Sequence, residues 1–256
     1  MKILISSLGR SGSKILQQNT QTYLVAKYGQ DNVLTAEKVV ASGFNVKALG
    51  LGAFFDIGAY NGGIKSILPE SYENGVLQND PLLDVNAELV KRTKLVKTTD
   101  KHLVVQDRWT QKRIKNELIL AGIESSFDRQ IVIHRNLRDW VLSAALEVLT
   151  GTTSKNVYQE KAILNAIANK LHVERSLVED LIRQHKAFEA KSWSESAIHV
   201  DFDQIVNATN SEQLCALIGC EFFPITIRTN VVEFGQNKER MIENLEEVLQ
   251  IIQENI

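Results

Sequence analysis

Ile3-Leu4-Ile5 is a short unbroken apolar run, flanked by Lys2 and Ser6-Ser7 and followed by Leu8-Gly9-Arg10-Ser11-Gly12. A continuous run that stops at glycines reads as a buried strand ending in a turn. Ser13 through Lys27 then places Ile15, Leu16, Tyr23 and Leu24 at loosely helical spacing, with Gly29 as the stop. Val33-Leu34 reads as a second short strand, with Glu37 just past it. Order resumes with a helix from Asn86 to Lys94, then a strand over His102 to Gln106 that ends at Asp107-Arg108, and a helix over 110–121 closed by Gly122. Gln130-Ile131-Val132-Ile133-His134 is the clearest internal strand, and Leu137 to Leu149 follows as a helix with Val141, Leu142, Ala145 and Leu149 on its apolar face. Helices over 155–171 and 175–191, a strand at Ala197 to Asp201, a helix from Glu212 to Ile218 and an amphipathic helix from Asn237 to Gln253 complete the reading. Strands alternating with helices imply an α/β fold, three layers with a central parallel sheet covered on both faces. No repeat or linker divides the chain, so 1–256 reads as one domain.

One region breaks the pattern. Gly43, Gly50, Gly52, Gly58, Gly62, Gly63 and Gly75 are half of the fourteen glycines, and Phe44, Phe55, Tyr60 and Tyr72 are interspersed with no sustained period. The stretch of about 43–84 is either an irregular loop packed by its own aromatics or a lid that binds an acceptor.

Composition narrows the function classes. With 44% hydrophobic and 23% charged residues the chain is ordinarily globular. Its 29 Lys+Arg against 31 Asp+Glu leave a net charge of −2, so no global basic field recruits nucleic acid or an anionic membrane. Any anion site must be built locally. Two cysteines, Cys215 and Cys220, form neither a disulfide framework nor a zinc motif, and no metal-ligand cluster is visible. No apolar stretch approaches the roughly 18–20 residues of a membrane span, and Ser6, Ser7 and Gly9 interrupt any signal-peptide core. These features point to a cytoplasmic protein.

Two segments carry chemistry. Gly9-Arg10-Ser11-Gly12-Ser13-Lys14 lies where the first strand meets the first helix. Glycines let backbone N–H groups approach an anion, the helix amino end adds partial positive charge, and Arg10, Ser11, Ser13 and Lys14 add charges and hydroxyls. Arg135-Asn136-Leu137-Arg138-Asp139-Trp140-Val141-Leu142-Ser143 follows the internal strand. There an anion over the helix start could meet Arg135 and the Ser143 hydroxyl, with Asp139 capping backbone N–H groups. The alternative is a solvated surface helix with Ser143 incidental.

Together the two segments resemble the family of sulfotransferases that use 3′-phosphoadenosine 5′-phosphosulfate (PAPS). The family's first motif, Pro-[Lys/Arg]-Ser-Gly-[Thr/Ser]-Thr, grips the 5′-phosphosulfate and is matched by Arg10, Ser11, Gly12 and Ser13. Its second, Arg-Asn-Pro-x-Asp-x-x-x-Ser, grips the 3′-phosphate and is matched by Arg135, Asn136, Asp139 and Ser143. Val200-Asp201-Phe202-Asp203-Gln204-Ile205 is similar to the family's strand and Tyr-Glu-Asp-Leu turn. The likeness spans roughly residues 1–30 and 130–220. Gly9 and Leu137 stand where the family has Pro, Lys14 stands where it often has Thr or Ser, and the family's Lys-Thr-His-Leu-Pro segment has no clean counterpart.

The resemblance implies a P-loop-like sulfotransferase architecture and metal-free, in-line sulfuryl transfer to an acceptor hydroxyl or amine, with release of 3′-phosphoadenosine 5′-phosphate (PAP). Arg10 would stabilise the transition state and Ser11, Gly12, Ser13 and Lys14 would hold the 5′-phosphate. Arg135 and Ser143 would hold the 3′-phosphate, and Lys238 or Arg240, in the late stretch from Phe234 to Arg240, could add a contact to it. Three residues are candidates for the general base: Glu37, placed as in several carbohydrate sulfotransferases, then Asp107 at a strand's carboxyl end, then His102 at a strand's beginning. Glu37 tilts the acceptor toward carbohydrate. Two alternatives stay open. A P-loop kinase or NTPase would need a magnesium-binding hydroxyl after Lys14, where Ile15 stands. A non-catalytic protein of the same fold would bind the nucleotide or a glycan without turnover.

Overall fold

The structure is a computed structural model that describes residues 1–33, 72–73, 76–77, 100–108, 127–150, 165–227 and 238–256. The chain runs β1 (Lys2–Ser7), α1 (Ser13–Tyr28), β2 (Tyr72–Glu73), β3 (Val76–Leu77), β4 (Leu103–Arg108) and β5 (Arg129–His134). It continues with α2 (Leu137–Thr150), α3 (Arg175–Glu189), β6 (Ile198–Asp201), α4 (Phe202–Asn207), α5 (Ser211–Leu217) and α6 (Leu245–Gln253). The fold is α/β, with a central sheet in the order β4-β1-β5-β6. β1 pairs in parallel with β4, Ser7 opposite Arg108, and with β5, Ser7 opposite Ile133. Ile3, Leu4 and Ile5 are buried, which is why the opening run is continuous and not alternating.

Two compact units divide the chain: 1–7, 12–133 and 193–229 in the first, and 8–11, 134–192 and 230–256 in the second. The first unit holds the sheet. Its core gathers Ile3 and Ile5 of β1, Leu16, Tyr23 and Leu24 of α1, Ile131 and Ile133 of β5, Val200 of β6 and Leu214 of α5. Gly12 caps α1 at φ 75, and a Cβ there would lie 3.1 Å from the Phe202 ring. Both the left-handed backbone and the close approach select glycine. At the sheet's amino edge Val33 bridges in parallel to His102, and Tyr28 stacks on the His102 ring with centroids 3.8 Å apart. Buried Tyr23 donates its hydroxyl to the Glu221 carbonyl at 3.0 Å.

In the second unit α2, α3 and α6 pack against one another. Val141, Leu142, Ala145 and Leu146 of α2, Val178, Leu181, Ile182 and Phe188 of α3, and Val248, Ile251 and Ile252 of α6 are buried. Leu149, expected on the inner face of α2, is 38% exposed. Leu171 and Ile242 form a parallel bridge. Asn244, just before α6, accepts the Val173 N–H at 2.9 Å and donates to the Val173 carbonyl at 3.0 Å.

That clamp corrects the expected last helix. The amphipathic pattern from Asn237 predicts one helix, but α6 begins at Leu245, and Glu239–Met241 form a single 3₁₀ turn. Ile242 is extended, at φ −103 and ψ 126, because the Glu243 N–H donates to the Leu171 carbonyl at 2.9 Å. Elsewhere the expected α1, β5, α3, β6 and α5 are present within two residues of their predicted ends. The helices expected at 86–94, 110–121 and 155–164 lie outside the described residues, while 165–169 is helical. Of the expected loop region at 43–84, only β2 and β3 are described, as an antiparallel pair.

Asn244→Ala leaves the N–H and carbonyl of fully buried Val173 without that partner. The expected loss is about 1–3 kcal/mol of stability, read by urea denaturation, with Asn244→Asp losing part of it because only the donor is removed.

Candidate functional site

Both chemistry-bearing segments follow strands that lie side by side, since Arg10 is three residues past Ser7 and Arg135 two past Ile133, a paired position. Arg10 adopts φ 66, a left-handed conformation that costs about 1–2 kcal/mol for a residue with a Cβ. The turn is gripped at consecutive carbonyls. The Arg135 guanidinium donates from Nη1 to the Arg10 carbonyl, and the Trp140 indole N–H donates to the Gly9 carbonyl at 2.6 Å. Arg10 Nε faces Glu147 Oε2 at 3.7 Å. The Ser11 hydroxyl is buried and has no hydrogen-bond partner among the described residues.

Trp140, Ser143 and Glu147 are spaced three and four residues apart on α2, so they share one stripe. Its two ends meet the turn at Gly9 and Arg10, and buried Ser143 lies between them on that stripe. The start of α2 differs from expectation. Asn136 Oδ1, not Asp139, accepts the Arg138 N–H, at 3.0 Å. Asp139 instead accepts Lys238 Nζ at 3.0 Å. Asn136 precedes the helix, at the position from which a side chain ordinarily caps. The imidazole of His185, from α3, approaches the Arg135 carbonyl through Nε2 at 2.7 Å; because a carbonyl only accepts, Nε2 carries the proton. His134, at the end of β5, is paired through Nδ1 with Glu189 at 2.7 Å.

Lys238 is 5% exposed. Burial pushes its ammonium below the ordinary lysine range, the Asp139 hydrogen bond opposes that, and the Arg135 charge adds to the lowering. Lys238 is thus a buried cation with the Asp139 carboxylate as its partner and the Arg135 charge nearby.

The first unit places the remaining candidates. Gly12 caps α1, Ser13 is buried and Lys14 is exposed at its first turn. Asp107 pairs with Ser6 near the carboxyl end of β4. His102 sits just before β4, at the opposite end of that strand from Arg108, with the Met1 amine on its Nδ1. Burial, then the amino-terminal charge, lower its pKa. Glu37 and Arg108's neighbour Trp109 lie outside the described residues. Sequence reading missed Glu147 and His185, and gave the capping role of Asn136 to Asp139. Glu147 had a local signal, its place four residues beyond Ser143, whereas the His185 contact spans fifty residues and had none. Trp140 is buried while also donating to the turn. Among the described residues no three His, Cys, Asp or Glu side chains converge as metal ligands.

No family model matches the chain, and no curated protein matches it. Two solved structures are similar to it. One is a sulfotransferase domain from the curacin biosynthetic pathway, with 15% identity, 98% of this chain and 96% of that chain covered, and a TM-score of 0.40. The other is a sulfotransferase domain from the Synechococcus PCC 7002 olefin synthase, with 13% identity, 99% and 94% covered, and a TM-score of 0.38.

Lys238→Met tests that burial. The buried ammonium disfavours the fold at pH values below its lowered pKa, and that cost fades as pH rises toward 10.5. At neutral pH the variant is expected to match or exceed the parent's thermal midpoint, and thermal melts at rising pH check that the difference shrinks.

Proposed function

We propose that the protein is a sulfotransferase that moves a sulfuryl group from PAPS to an acceptor hydroxyl or amine and releases PAP. The observation that supports this reading is the junction of the two motifs, with the Arg135 guanidinium on the Arg10 carbonyl. A doubly phosphorylated nucleotide needs two anion-binding turns that are held together. The residues fit such a ligand in one further respect: Ser11 presents a buried hydroxyl that has no hydrogen-bond partner among the described residues.

In this reading Ser11, Gly12, Ser13 and Lys14 hold the 5′-phosphate, and Arg135, Ser143 and Lys238 hold the 3′-phosphate. The acceptor atom attacks sulfur, the bond from sulfur to the 5′-phosphate oxygen breaks, and the acceptor's proton passes to a base. Arg10 stabilises charge gathering on the leaving oxygen, where a preorganised cation lowers the barrier most. Glu37 is the base we favour, with Asp107 second; His102 is third because it precedes β4 and is engaged by the amino terminus. Glu37 also makes a carbohydrate the favoured acceptor. Cys215 and Cys220 are free thiols, as a reducing cytoplasm would keep them. No helix among the described residues is long and apolar enough to cross a membrane.

PAP at a hundredfold excess over its Kd is expected to raise the thermal midpoint by about 5–10 °C. Arg135→Ala removes that rise, and Ser143→Ala, which spares the Arg10 carbonyl contact, reduces it. Transfer of radiolabelled sulfate from PAPS to a panel of sugars and phenols tests turnover. Arg10→Ala should lose turnover far more than PAP binding. Stabilisation by ATP with magnesium but not by PAP would overturn the reading, and PAP binding without transfer to any acceptor would leave a binding protein of this fold.

A further inference from the structure

Arg10 is held more tightly than a phosphate contact alone requires. Its backbone is left-handed at φ 66, its carbonyl accepts from Arg135 and the preceding carbonyl accepts from Trp140. Its side chain is in turn ion-paired, with Nε 3.7 Å from Glu147 Oε2, beyond hydrogen-bond length. The pair is largely shielded from water, with side chains 14% and 19% exposed, so solvent screening is weak and the attraction persists. Glu147 stands on the α2 stripe that carries Trp140 and Ser143. One helix face therefore meets both the backbone of the turn, through Trp140, and the Arg10 side chain, through Glu147.

The carboxylate is out of place if anion affinity is all that matters. A negative charge beside Arg10 opposes the binding of any phosphate or sulfate there. What it supplies is orientation: Nε and its planar fork belong to arginine, and lysine has no donor at that point of the side chain. We infer that Glu147 is a positioning residue, which sets the Arg10 guanidinium for the transferring group and makes arginine, not lysine, the required cation at position 10. This role rests on the sulfotransferase reading, but the orientation itself does not.

Two measurements test it. In ¹⁵N spectra, the Arg10 Nε–H signal, assigned by its loss in Arg10→Lys, should be slowly exchanging in the parent and should broaden or exchange freely in Glu147→Ala, with Glu147→Gln intermediate. A signal that exchanges freely in the parent, or is unchanged in Glu147→Ala, overturns the inference whether or not the protein binds PAP. In sulfate transfer from PAPS, Glu147→Ala is expected to lower kcat about a hundredfold while PAP binds equally or more tightly, with Glu147→Asp recovering part of the rate. Arg10→Lys should fall as far, and the Arg10→Lys/Glu147→Ala pair no further, since the two act as one unit. Equal loss of binding and turnover in Glu147→Ala, additive losses in the pair, or a parental rate in Glu147→Ala would each overturn it. A parent that neither binds PAP nor transfers sulfate would overturn the sulfotransferase reading instead, leaving the spectra to decide the orientation.

Discussion

A guanidinium on a peptide carbonyl joins two segments that lie 125 residues apart. Without the contact between Arg135 and Arg10, the left-handed turn after β1 would lack a charge-assisted anchor, and the start of α2 would have no tie to it through that arginine. Parallel pairing makes the contact affordable in chain terms. Ser7 and Ile133 are neighbours in the sheet, so the residues that leave the two strands emerge at the same edge.

Around that contact, charge is unevenly distributed. Arg10, Arg135 and Lys238 are set against Glu147 and Asp139, and Lys238 remains buried although desolvation and Arg135 both oppose its charge. Stability alone does not favour such an arrangement. Replacing a buried cation by an apolar side chain is often neutral or stabilising. Charged groups perturbed in this way are enriched at functional sites.

The strands were readable because β1 and β5 are buried and parallel, so their apolar runs are continuous and end at recognisable turns. α3 was readable because one face is buried through Val178, Leu181, Ile182 and Phe188. The start of α6 was not. Met241 and Ile242 continue the apolar pattern, but they are buried around a bridge to Leu171, and a long-range pairing of this kind overrides local periodicity. The same division runs through the site. Arg10, Ser11, Gly12 and Arg135 announce themselves by residue type at strand ends. His185 acts through a contact fifty residues away that no local pattern encodes, Glu147 had its place on the Ser143 stripe but its pairing with Arg10 is tertiary, and Asn136 caps α2 while Asp139 accepts Lys238.

Holding an arginine from several directions has a physical consequence for chemistry as well as for packing. A flexible cation lowers the energy of ground state and transition state alike, and so strengthens binding without accelerating reaction. An arginine whose backbone is anchored and whose Nε is ion-paired follows a moving charge less freely than a solvated one, so its stabilisation differs more between arrangements of the reacting atoms. The grip of Trp140 and Arg135 on the turn and the approach of Glu147 to Arg10 both restrict Arg10 in this way. In the sulfotransferase reading proposed above, Glu147 would trade anion affinity for a preference for charge that develops at one place.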